Sequence, residues 1–206
     1  MLLFQGMKAL PKKLLPLTLF GIAVTSLFSV QPVQAFTVTL RQVGSNVVAT
    51  GSGAINLTGL TPDRAGFSFP ILNASLADIR TGEANQVTFY IGFTGPTSFG
   101  SGGDFSPNAS SGDLVGIVNT FFQGLLVPEG YVSNTALSDS MTFDNATFAS
   151  LGLTPGTYEW TWGTGTGLAN QNFTLIIPRV PDGGTTVFLL SFALLGLAAL
   201  RRKFGC

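Results

Sequence analysis

In the middle of this chain, apolar residues recur at every second position between glycine-rich turns. Tyr158, Trp160 and Trp162 alternate with Thr157, Glu159 and Thr161. Phe36, Val38 and Leu40 alternate with Thr37, Thr39 and Arg41, and Phe173, Leu175 and Ile177 form a third row. Side chains on a strand point to opposite faces in turn, so this spacing describes ribbons with one face buried and the other wet. Val87, Phe89, Ile91 and Phe93 make a fourth row within Gln86–Phe93. After a turn at Gly44-Ser45-Asn46, Val47–Thr50 and Ala54–Leu57 return as one strand, with Gly51-Ser52-Gly53 expected as a bulge or kink. Leu114–Val118 and Phe121–Val127 are short apolar runs of strand type. Thr58–Ala65 and Gly95–Gly112 are loops by composition, and Asn145–Leu151 has room for one or two helical turns capped by Asp144. About seven to nine short strands joined by such turns predict a mainly β fold, an antiparallel β-sandwich of jelly-roll type.

The two ends follow a different pattern. Lys8, Lys12 and Lys13 precede an apolar stretch, Leu14–Val30, and Val33-Gln34-Ala35 offers small residues for cleavage between Ala35 and Phe36. Residues 1–35 are therefore expected to be a signal peptide, handled by the export machinery and signal peptidase. At the other end Val187–Leu200 is apolar and free of charge and proline, and Arg201, Arg202 and Lys203 follow it. Counted from Thr185, this helix would be about 24 Å long, short of a hydrocarbon core of about 30 Å unless the arginines snorkel. The three cations are the expected topology anchor, held on the cytoplasmic side. The expected layout is thus a signal peptide at 1–35, an extracytoplasmic sandwich at 36–179 and a C-terminal segment with a transmembrane helix at 180–206.

The C-terminal segment carries a resemblance. Val180, Pro181, Asp182, Gly183 and Gly184, then an apolar helix, then a basic cluster, resemble the sorting signals of the PEP-CTERM group, most of all its VPDSG-CTERM variant. Gly183 stands where that variant commonly has serine. The resemblance implies an exosortase partner that cuts near the motif, a transient stay in the inner membrane, and release to the cell surface or extracellular matrix. The stretches TGPTSFGSGG (Thr94–Gly103), SGDLVGI (Ser111–Ile117) and DNATFASLGLTPGTYEWTWGTG (Asp144–Gly165) are similar to exported, uncharacterised members of the group. That similarity brings no catalytic residues with it.

Composition narrows the chemistry further. The chain has no histidine, and its one cysteine is Cys206, beyond the motif. Imidazole-based catalysis, thiolate chemistry and disulfides are therefore outside the reach of the central domain. Its cations are Arg41, Arg64, Arg80 and Arg179 against nine acids, a net charge of −5, which argues against nucleic-acid binding. Three function classes remain. The first is a surface or matrix protein with a structural or interaction role, without catalysis or cofactor. The second is a carbohydrate-binding module of the extracellular polysaccharide, using Trp160 and Trp162 as stacking platforms. The third is a glycoside hydrolase using two carboxylates. Asp104, Asp113, Asp139 and Asp144 are the candidate Ca2+ ligands, though without the spacing of a calcium-binding hand.

Overall fold

The computed structural model describes residues 35–120, 122–163 and 171–179. The expected signal peptide and C-terminal helix lie outside them. The described residues are mainly strand: β1 (Phe36–Val43), β2 (Asn46–Ala54), β3 (Thr61–Ser68), β4 (Ile71–Asn73), β5 (Asp78–Thr81), β6 (Asn85–Ile91), β7 (Asp104–Phe105), β8 (Ala109–Gly112), β9 (Val115–Asn119), β10 (Gln123–Pro128), β11 (Ala136–Phe143), β12 (Gly156–Trp162) and β13 (Gln171–Ile177). Among the described residues the one helical element is a 3-10 turn, Ala74–Leu76, capped by Asn73, whose Oδ1 accepts from the Leu76 amide at 3.0 Å.

Two sheets form. The first has the order β12-β13-β1-β2-β11-β8 and the second β3-β6-β10-β9-β5-β4-β7. Neighbours are antiparallel except β1 and β13, which run parallel with Phe36 opposite Phe173. The sheets face each other across a shared core. Phe36, Val38 and Leu40 of β1, Met141 and Phe143 of β11, and Phe173, Leu175 and Ile177 of β13 meet Leu72, Ile79, Ile117 and Leu125 from the second sheet. The alternation in β1, β12 and β13 thus buries the face expected from the sequence.

The second sheet holds a second core on its far side. Val87 and Phe89 of β6, Leu114, Val118 of β9 and Leu126 of β10 are buried together, with Phe122 packed against them. These alternate with Ile117 and Leu125, which face the first sheet, so β9 and β10 are buried on both faces. Chain connectivity explains the enclosure. Ser68 and Ile71, three residues apart, belong to strands five places apart in the sheet order. Three residues reach about 10 Å, whereas five flat strand spacings would need about 24 Å. The sheet must therefore curl until β3 and β4 approach each other. The Arg80 Nη1 hydrogen bond to Ser68 Oγ, 3.2 Å, spans that closure. Arg64 stands 4.0 Å above the Phe122 ring and Arg80 5.0 Å from the Phe69 ring, so cation–aromatic contacts line the rim.

Several expectations change. Val87 and Phe89 fill the curl rather than the shared core, Ile91 is exposed, and Phe93 reaches the shared core only after Gly92 turns with φ 104°. Thr58–Ala65, expected as loop, contributes most of β3, an edge strand whose irregular register at Pro62 tolerates the missing amide. The Gly51-Ser52-Gly53 stretch is not a bulge, because β2 keeps an unbroken register with β11 through all three residues and with β1 through Ser52. Gly95–Gly112 contains β7 and β8. Asn145–Leu151 makes a single turn, capped by Thr147 rather than Asp144. Thr147 Oγ1 accepts from the Ser150 amide at 3.0 Å while Ser150 Oγ accepts from the Thr147 amide at 2.8 Å, a reciprocal cap.

Candidate functional site

The aromatic row of β12 points inward. Trp160 is fully buried and Trp162 is 4 % exposed. Each indole N–H is already committed, Trp160 Nε1 to the Pro96 carbonyl at 3.1 Å and Trp162 Nε1 to the Asn56 carbonyl at 2.8 Å. Neither ring offers a face to a sugar, so the alternative that used them as stacking platforms fails at these residues. The physical reason is the half-buried ribbon itself, since Thr157, Glu159 and Thr161 take the wet face. As a check, both tryptophans of the domain at residues 36–179 should emit at short wavelength and resist acrylamide, and adding soluble polysaccharide should leave the emission unchanged. Ready quenching would put at least one ring in solvent.

The four acidic candidates are dispersed. Asp104 accepts from Asn73 Nδ2 at 2.6 Å, beside the 3-10 turn. Asp144 begins the turn after β11, with its amide donating to Asn108 Oδ1 at 2.8 Å. Asp113 and Asp139 do come together. Asp113 brackets the residue before Asp139, its Oδ2 accepting from the Ser138 amide at 3.0 Å and its own amide donating to the Ser138 carbonyl at 3.0 Å. Among the described residues no three acidic side chains converge as a metal site would require.

Asp139 is the unusual member. It is 9 % exposed, and neither carboxyl oxygen has a hydrogen-bond partner of good geometry. Burial pushes its pKa up to about 7, opposed by the Thr81 side chain and the Gly51 backbone, with the charge of Asp113 adding to the rise. Its position was visible in the sequence. Leu137, Asp139, Met141 and Phe143 share one phase of β11, and that phase faces the shared core. The glycine opposite it in β2 has a packing cause, because a Cβ on Gly51 would run into Asp139 Oδ1 and lie 2.7 Å from the Phe36 ring.

A second buried carboxyl lies inside the curl. Asp78 is fully buried and receives Arg80 in a two-pronged contact, Nε to Oδ1 at 2.9 Å and Nη2 to Oδ2 at 3.2 Å. Desolvation raises the Asp78 pKa and Arg80 counters it. The pair was not singled out from the sequence, although Asp-x-Arg on one strand places both side chains on the same face.

An open groove of ≈ 560 Å3 is lined by Gln42, Thr147, Phe148, Ala149, Leu153, Pro155 and Arg179. It contains no carboxylate, so the groove does not supply the acid pair of a glycosidase. One of its lining residues, Arg179, stands two residues after the last residue of β13.

Comparison with known proteins finds one match, and it starts at that residue. Residues 179–204 match the VPDSG-CTERM motif. No curated protein and no solved structure matches the chain. Among the described residues no helix is long and apolar enough to cross a membrane, and Val187–Leu200 lies outside them.

Proposed function

We propose that this chain, carrying a VPDSG-CTERM motif at residues 179–204, is the precursor of an exported protein sorted to the cell surface by an exosortase. In this reading the sandwich is the cargo and acts there through structure or interaction rather than catalysis. One observation carries the proposal. The motif begins directly after β13, the last strand of the first sheet, so every core residue among the described residues lies on the domain side of it. A cut within the motif would leave that core whole. At the other end, β1 starts at Phe36, the first residue after the expected signal-peptide cleavage, and Phe36 is fully buried. The domain thus occupies the whole interval between the two expected processing points. Two glycines follow Asp182 in the sequence, and residues without side chains put little bulk in the way of a protease.

The test is intact mass. The surface or matrix fraction should yield a species that begins at Phe36 and ends between Val180 and Thr186, and that species should be missing from a strain lacking the exosortase. A membrane-bound form retaining Cys206 in both strains would overturn the proposal and make the tail a permanent anchor.

A further inference from the structure

The open groove has room for a segment of this same chain. Its lining joins Gln42, near the end of β1, to Arg179, just past β13, with Phe148, Ala149, Leu153 and Pro155 as apolar walls. The parallel ladder explains why those two residues meet. β1 and β13 pair from Phe36 opposite Phe173 to Thr39 opposite Ile176, and the same offset sets Arg179 opposite Gln42 and Val180 opposite Val43. The ladder stops short of them because Pro178, two residues beyond Ile176, has no amide proton to donate. β1 itself runs on. Residues 40–43 stay paired with β2 on one side, and on the β13 side they have no ladder partner among the described residues.

The sequence that follows suits this free edge. A proline holds the residue before it in an extended conformation, and Pro178 and Pro181 do so for Ile177 and Val180. In strand phase Pro181 follows Ile177 and Arg179 onto the groove side, while Val180 falls on the other side, opposite Val43. Val43 is 58 % exposed, an apolar side chain left largely in water. Val180 and Pro181 are an apolar pair between Arg179 and Asp182, so covering Val43 and filling a mainly apolar groove removes apolar surface from water on both partners.

We propose that the groove is the seat of the first residues of the motif: residues 178–181 run on from β13 along the free edge of β1, Pro181 enters the groove against Phe148, Leu153 and Pro155, and Val180 covers Val43. Asp182, Gly183 and Gly184 are then the first residues clear of the domain. The consequence rests on the sorting reading. An exosortase would meet the motif at a fixed place against its cargo, with Val180 and Pro181 shielded and the backbone open to it from Asp182 onward.

The experiment uses the chain with its tail intact, purified in detergent, and reads the contact without any exosortase. With Cys206→Ser removing the one native thiol, Val43→Cys is combined with Val180→Cys or, for comparison, with Thr186→Cys. Neighbouring strands stand about 4.8 Å apart, within the span a disulfide bridges. Oxidation should link positions 43 and 180 within one chain about tenfold faster than positions 43 and 186. Equal rates would overturn the proposal, as would a link between positions 43 and 180 of two different chains, which would give the groove to a second copy. Should the cysteine variants fail to fold, trypsin on the unsubstituted chain decides the matter. The Arg179–Val180 bond should be cut about tenfold more slowly than in a synthetic peptide of residues 173–186, and an equal rate sinks the idea. Neither readout depends on sorting, so an empty seat would leave the exosortase reading standing, and a failed sorting test would leave the seat standing.

Discussion

Arg80→Leu is expected to destabilise the domain by about 3–5 kcal/mol, a loss measurable as a lower urea midpoint with an unchanged slope. The substitution keeps the apolar bulk of the side chain but removes the only cation within the curl that reaches Asp78 among the described residues. Asp78 is fully buried, so its charge would be left without compensation. Its pKa, already raised by burial, would rise further without Arg80. The variant should therefore fare best in acid, where Asp78 is neutral, and lose stability as pH rises through the new value. Adding Asp78→Leu should restore most of the loss, because exchanging a buried ion pair for apolar side chains is often neutral or favourable. A single substitution costing less than about 1 kcal/mol would mean that water reaches the pair and that the curl is open.

Trp160→Ala should cost about as much, roughly 3–5 kcal/mol, through the cavity left in the shared core. The indole packs edge-to-face against Phe173 at 5.7 Å, and Phe173 stacks on Phe36 at 5.7 Å. Those three rings tie β12, β13 and β1 into one unit. The indole is also enclosed on the loop side, where a Cβ on Gly95 would run into it. Trp160→Phe is expected to lose less, about 1–3 kcal/mol, since most of the ring volume stays but the Pro96 carbonyl loses its donor. Equal losses for the two substitutions would point to the hydrogen bond rather than the packing as the main contribution.

What could be read from the sequence depended on how many faces a strand buries. β1, β12 and β13 bury one face each, and their alternation identified both the strands and the buried residues. β9 and β10 are buried on two faces, so their residues show short apolar runs without phase. The row Val87–Phe89 was legible as a buried face, but a sequence carries no sign of which of two cores that face addresses. β3 was missed because Thr-Pro-Asp-Arg-Ala-Gly has no apolar alternation; its ladder to β6 is made by the backbone. At the candidate sites the same distinction applies. Trp160 and Trp162 were legible as core by their period, and they are core. Asp139 was grouped by its acidity with loop residues, although its phase with Leu137 and Met141 placed it inside. The C-terminal motif was legible outright, because its order of motif, apolar run and basic cluster needs no tertiary structure to be recognised.

The parallel pairing of β1 with β13 also fixes a sequence in time. For a chain threaded across a membrane from its N-terminus, β1 emerges first and its neighbour β13 last. Until then β1 has β2 on one side and an open ladder on the other, with Phe36 and Val38 lacking the rings and side chains that later cover them. Closing a contact between residues 36 and 173 is as non-local as this domain allows, and such contacts form slowly. In an exported chain of this kind the first sheet would be completed only when almost the entire domain had crossed, with the residues of the VPDSG-CTERM motif next to arrive. An incompletely delivered chain could not finish the sheet, so under the proposed sorting the signal for release would reach the outside together with the strand that makes the cargo whole.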